Sequence, residues 1–470
     1  MLKPDIKPAL SIKPMINIGA LLDIPTGYFV KGKHGENLLL GGLGQLTGVV
    51  GIGNSFKSTV MHYMMLSAAD KLFSTHDTVM MTYDTEINIH EERLRNFINK
   101  FDYLQNKQVL QNEHWTITDK TVYYGDTWFE KLKEYLTNKE KGAKDYTYDT
   151  PFLDRDGKTL VKLILPTFSE IDSLSEFETS AISKIQDENL LGESGGNTIH
   201  MRSGLDKTRF LMEIPHLSGT ASHYFLMTAH LGKETQMASG PYQQMPTKKL
   251  QHMRMGDKIK GVSDKFFFLL SNCWLAMDAK PYINQTTKAP EYPRNPNENA
   301  DAGSSDLNMV TLKQLRSKSG PSGITIELLV SQTEGVLPSL SEFHYIKNTD
   351  RFGLDGTLQS YSLDIYPDVK LGRTTIRSKI DEDKKLRRAL NITAELCQMH
   401  QYHRSLGDLL CTPKELYNGI KSQGYDWDMI LSETRGWWTL DNDKAPEKFL
   451  STKDLLEMRV GLYKPYWIKK

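Results

Sequence analysis

The chain has 470 residues, 39% hydrophobic and 25% charged, an ordinary globular composition with room for about two or three domains. Lys plus Arg and Asp plus Glu stand at 58 each, which excludes a wholesale basic coat, so any nucleic-acid contact must come from local basic segments. No apolar run reaches the roughly 20 residues of a membrane span, no secretory leader is legible, and three cysteines without ligand spacing argue against zinc or disulfide frameworks and fit a reducing cytoplasm.

In chain order, residues 1–13 read as an arm and 14–44 as a Gly-rich lead-in with short strands. An apolar strand over 45–50 runs into a Gly-rich segment and a helix over about 58–72. Strand 78–83, helix 91–101, strand 121–124 and helix 128–136 continue an alternation that signals a parallel sheet with crossover helices. Residues 139–160 interrupt it, and Asp156-Gly157 marks a β-hairpin insertion. Strand 167–171 ends at Asp172. A polar stretch over 186–206 reads as a loop, followed by helix 207–214 and strand 224–229. A second long loop spans 230–262, ahead of a strand over 265–270; the apolar run 266–277 reads as buried strand. Residues 280–306, rich in Pro, Asn and Gly, read as a loop insertion or a disordered excursion. Strands 309–315 and 324–330 form a hairpin. The pattern from 366 to 470 is mainly helical and reads as a separate domain, with Trp437 and Trp438 in its core. The expected fold is α/β: a mostly parallel sheet over 45–350 flanked by helices, a β-hairpin insertion, and a smaller helical C-terminal domain.

The segment Gly51-Ile52-Gly53-Asn54-Ser55-Phe56-Lys57-Ser58-Thr59 lies between the strand and the helix, where a phosphate-binding loop belongs. Helix N-terminal amides would wrap the β-phosphate of ATP, Lys57 would reach the β and γ oxygens, and the Ser58 hydroxyl would hold Mg2+. The usual pattern has Gly before the Lys; here Phe56 takes that place. Hydrolysis also needs a base for the attacking water and a group that orients the hydrated metal. Glu86, in the strand-end segment Asp84-Thr85-Glu86, is the candidate base, with Asp84 its chief rival. Asp172 is the candidate acting on Mg2+ through water. Carboxylates at the C-terminal ends of parallel strands face the crevice where α/β sheets bind ligands.

With these residues in place, the chain resembles the RecA superfamily, and within it the phage UvsX-type recombinases, over roughly residues 14–346. The resemblance is carried by the lead-in PMINIGALLDIPTG, the loop ending Ser55-Phe56-Lys57-Ser58, the strand end Tyr83-Asp84-Thr85-Glu86 and the segment Ile171-Asp172-Ser173-Leu174. His230 stands where that family carries a polar residue that senses the γ-phosphate. The resemblance implies two DNA-binding loops: one within 186–206, with His200 and Arg202, and one within 231–262, with Lys233, Tyr242, Lys248, Lys249, Arg254, Lys258 and Lys260. Interleaved cations and aromatic or Met side chains suit tracking of a backbone with base stacking; a solvated or protein-docking loop is the alternative. Arg316 and Lys318 match the residues that reach a neighbouring subunit's γ-phosphate.

The implied function is an ATP-dependent recombinase that assembles on single-stranded DNA, with duplex DNA as a second partner, as a homo-oligomer in filament or ring, in the cytoplasm of a phage-infected cell. A hexameric replicative helicase of the DnaB kind is the alternative. Its corresponding segment reads more like Asp-Tyr-Leu than Asp-Ser-Leu, and it carries a helical N-terminal domain without a counterpart here.

Overall fold

Strands buried on both faces need apolar side chains in both directions, and the central segments of this chain supply them. The computed structural model describes residues 9–10, 12–188, 199–233, 250–262, 269–295, 297–300, 303–304, 306–357 and 359–468. Strands β1 (Tyr28–Lys31) and β2 (Asn37–Leu40) form a hairpin ahead of β3 (Leu46–Gly51). There follow α1 (Lys57–Phe73), β4 (Met80–Asp84), α2 (Glu91–Ile98), β5 (Trp115–Asp119) and α3 (Gly125–Lys141). The hairpin β6 (Thr147–Leu153) and β7 (Leu160–Ile164) precedes β8 (Thr167–Asp172), α4 (Ser180–Glu188) and α5 (Ile199–Ala221). Strands β9 (His223–Lys233), β10 (Asp257–Ile259), β11 (Asn272–Pro281), β12 (Leu307–Ser317), β13 (Thr325–Ser331) and β14 (Gly335–Val336) come next.

Ten of these strands make one mixed sheet in the order β14-β13-β12-β11-β3-β9-β8-β4-β5, with β10 paired to the end of β9. Its centre, from β11 to β5, is parallel, while β12, β13, β14 and β10 add antiparallel pairings. The period-2 alternation of side chains divides the core. Val49, Phe168, Tyr224, Leu226 and Trp274 pack on the face covered by α1 and α2. Leu46, Ile171, Phe225, Met227 and Leu275 pack on the face covered by α3 and α5.

Several sequence expectations are corrected. The strand expected over 121–124 is instead Trp115–Asp119. The Asp119 carboxylate accepts hydrogen bonds from the Thr121 backbone amide and hydroxyl (2.8 and 2.5 Å), which turns the chain just where β-branched and aromatic residues suggested extension. The loop expected over 186–206 is helical at both ends, where α4 and α5 occupy its described residues. The loop expected from 230 begins as a continuation of β9, which β10 holds in register from Leu231 to Lys233. The strand expected over 265–270 lies largely outside the described residues, and the central strand starts later, at Asn272. The 280–306 segment is packed in its described part: Ala289 and Tyr292 are buried, and Ile283 bridges to Pro290.

The C-terminal segment contributes a long helix, Lys384–Tyr402, and shorter helices at Pro413–Ser422, Trp427–Glu433 and Thr452–Arg459. It shares one apolar core with α1 and the lead-in. Trp438 Nε1 donates to the Met15 carbonyl (3.2 Å), Thr439 Oγ1 to the Lys71 carbonyl (2.9 Å), and Gln398 Nε2 to the Leu21 carbonyl (2.9 Å). Between these elements lies a cavity of about 240 Å³ whose lining includes Asp23, Asp70, Lys71, Glu342, Arg388 and Glu395.

Candidate functional site

Register brings the candidate residues to one end of the sheet. Gly51 of β3 stands opposite His230 of β9, and Asp84 of β4 opposite Asp172 of β8. The turn after β3 depends on Gly51, because a Cβ there would lie 2.6 Å from Ser55 Oγ and 2.8 Å from the Ala276 carbonyl. Ser55 Oγ closes the turn on the Ile52 carbonyl at 2.8 Å. Asn54 and Phe56 both have positive φ, 56° and 61°. Asn tolerates that conformation, whereas for Phe it costs about 1–2 kcal/mol. The half-buried Phe56 ring packs against the core and offsets part of the cost. The loop can therefore keep its shape without the usual Gly.

Helix α1 starts at Lys57, so the amides of Lys57, Ser58 and Thr59 lack partners within the helix and form its positive pole. The Lys57 ammonium is buried and donates to the Ile52 carbonyl at 2.7 Å. Burial lowers its pKa, and the charges of Asp172 and Glu86 oppose that shift, so both carboxylates act on it electrostatically. Asp172 is buried, and its Oδ1 accepts from Thr228 Oγ1 at 2.5 Å. Thr85 binds the ends of β4 and β8 together: its amide donates to the Asp172 carbonyl (2.7 Å) and its hydroxyl to the Ser173 carbonyl (2.9 Å).

The two rival carboxylates of the β4 end are in different situations. Asp84 Oδ1 accepts from the amides of Glu86 and Ile87 (both 2.9 Å), and Oδ2 from Asn88 (2.7 Å) and Ile89 (2.9 Å). Four amides on one carboxylate make Asp84 the hub that shapes the loop. Glu86 is exposed on that loop; Oε1 lies 3.1 Å from His230 Nε2 and Oε2 accepts from Asn88 Nδ2 at 3.4 Å. His230 is itself fixed through its amide, which donates to Ser175 Oγ at 2.9 Å.

Beneath the site lies a polar group that the sequence reading missed. Glu170, two residues before Asp172 on the same face of β8, is fully buried. Its Oε1 receives Thr82 Oγ1 and faces His62 Nδ1, both at 2.6 Å, and Trp115 Nε1 donates to Thr82 at 2.8 Å. Desolvation works against a charged His62, but Glu170 outweighs it and the net pKa shift is upward. The signal was an acid inside an apolar strand, which demands a partner. Thr228, Thr85 and Arg93 were also missed. Arg93, in the first turn of α2, donates from Nη2 to Thr59 Oγ1 at 3.0 Å.

Of the candidate DNA contacts, Arg254, Lys258 and Lys260 are exposed around β10. Lys260 donates its amide to the His230 carbonyl at 2.9 Å, which ties this basic segment to the strand end carrying His230. Lys233 pairs with the buried Asp257 carboxylate. His200 and Arg202 fall in the first turn of α5, with side chains outside the described residues, and Tyr242, Lys248 and Lys249 lie wholly outside them.

Arg316 and Lys318 are not brought to this site. Ser317 stands opposite Asn272, and Asn272 opposite Thr47, at the start of β3 and so at the far edge of the sheet from Lys57. Arg316 Nε donates to the Leu270 carbonyl (3.3 Å) and Lys318 Nζ to the Leu269 carbonyl (2.9 Å).

The residues present suit a Mg2+ triphosphate. The loop offers amides, a buried ammonium held by a carbonyl, a hydroxyl at Ser58, and two carboxylates beyond it. Among the described residues, no three His, Cys, Asp or Glu side chains gather as a metal-holding cluster, and no helix is long and apolar enough to cross a membrane. The sequence matches no protein-family model and no curated protein.

Proposed function

We propose that this chain is a RecA-like, DNA-dependent ATPase that assembles on single-stranded DNA and promotes homologous pairing and strand exchange. The observation that carries the reading is the convergence of Lys57, Asp172 and Glu86 at the ends of neighbouring parallel strands, beside a helix N-terminus. Bound Mg2+ would supply charge neutralisation to the phosphates. Lys57 would exchange its carbonyl partner for phosphate oxygens, Ser58 and Asp172 would hold the metal, and Thr228 fixes the rotamer of Asp172. Glu86 takes the proton of the attacking water, poised by His230. The link from His230 to Lys260 then gives the basic segment a mechanical connection to the nucleotide.

The recombinase reading rests further on the resemblance and on the exposed cations of the β10 region. Hydrolysis of ATP should rise when single-stranded DNA is added and disappear in Lys57→Ala. Absence of hydrolysis with and without DNA rejects the reading. Negative-stain microscopy with ATP and single-stranded DNA should show helical filaments; closed hexamers threading DNA would instead make the chain a ring helicase.

A further inference from the structure

Arg93 is a cation held beside the N-terminus of a helix. It is the third residue of α2, and its side chain crosses to the first turn of α1, where it donates to Thr59 Oγ1. The positive end of α1 therefore faces the guanidinium, an arrangement that disfavours a cation there. Among the described residues no carboxylate lies within the 4.0 Å of an ion pair with it, and Asp172 offers only attraction at longer range. The Phe97 ring, 5.3 Å from the guanidinium carbon, supports it from one side. Much of the side chain is exposed, and of its five N–H donors the contact with Thr59 accounts for one.

Thr59 is also the last of the three residues whose amides make the free pole of α1. A planar guanidinium fork beside that pole matches the geometry of phosphate oxygens. We propose that Arg93 is a binding residue for the phosphate chain of the nucleotide, a second cation acting with Lys57 from the other side of the α1 N-terminus. The proposal rests on the nucleotide site described above and extends it to α2.

The test compares the parent with Arg93→Ala, Arg93→Lys and Lys57→Ala by titration calorimetry and by thermal shift, using MgATP and Mg-tripolyphosphate as probes. Arg93→Ala should bind both probes roughly tenfold more weakly, Arg93→Lys should recover part of the loss, and the ligand-free melting temperature should stay level or rise. Unchanged affinity in Arg93→Ala overturns the proposal. Loss of MgATP affinity with tripolyphosphate binding retained moves Arg93 to the base or sugar and overturns the phosphate contact. A ligand-free melting temperature that falls along with affinity marks a packing role and also overturns it. Failure of the parent to bind MgATP, or undiminished binding by Lys57→Ala, removes the site itself and Arg93 with it.

Discussion

At the residue scale, Asp84 and Glu86 stand two positions apart in different surroundings. Asp84 spends both oxygens on four amides, so it cannot take a proton from water without dismantling the loop. Glu86 keeps a carboxylate that faces outward beside His230. Replacing Glu86 by Gln should leave the melting temperature within error and reduce kcat by about 100- to 10,000-fold, with ATP still bound. Replacing Asp84 by Ala should lower stability by about 2 kcal/mol and activity together, because the loop amides lose their acceptor. Single-turnover hydrolysis and thermal melting separate the two; full activity in Glu86→Gln would return the role of base to Asp84. In the sequence these acids were indistinguishable in kind. What separates them is the path of residues 86–89 around Asp84, which is a property of the folded loop.

At the element scale, the Gly-rich turn between β3 and α1 and the strand and helix that flank it were legible because their signals are local: an apolar run, closely spaced glycines, and Lys57 at a helix start. The hairpin around Asp156-Gly157 was legible for the same reason. The partners supplied by other strands were not. Thr228 meets Asp172 only because β9 lies between β3 and β8, and Thr82 and His62 meet Glu170 only through the order of the parallel strands. The start of the second basic loop was misread because β9 runs on to Lys233 and pairs with β10. That pairing has a testable side. Arg254, Lys258 and Lys260 share a short, anchored segment and should meet the same stretch of DNA backbone. Neutralising all three should weaken binding to single-stranded DNA and reduce the slope of log affinity against log salt by roughly 2, at about 0.7 per phosphate contact. An unaltered slope in a fluorescence-anisotropy titration would take β10 out of the DNA path.

At the scale of the whole molecule, the C-terminal segment closes over the lead-in and α1 through contacts more than 350 residues apart in the chain, and no local pattern reports such contacts. The cavity it closes is ionic. Burial pushes the carboxyls of Asp23 and Asp70 up to about 7 and that of Glu342 up to about 8, against the pull of Lys71 on both aspartates and Arg388 on Glu342. The sign follows from proton counting: the folded chain holds these protons at pH values where the unfolded chain has released them. Their contribution to stability is complete below the ordinary carboxylate range and is lost as pH climbs through 7 to 8. Glu342→Gln should therefore lose less stability than the parent between pH 6 and pH 8, by about 2 kcal/mol. Parallel denaturation midpoints for the two proteins across that interval would contradict this.

The placement of Arg316 and Lys318 at the edge of the sheet remote from Lys57 has an arithmetic consequence. If the charges that finish one chamber come from the adjoining copy, a solitary molecule owns two halves and no whole. An open row then has one fewer working chamber than it has members, and a closed circle has as many as members. Output per molecule would thus depend on how long a row grows, and the terminal copy of any row would hold its nucleotide without spending it.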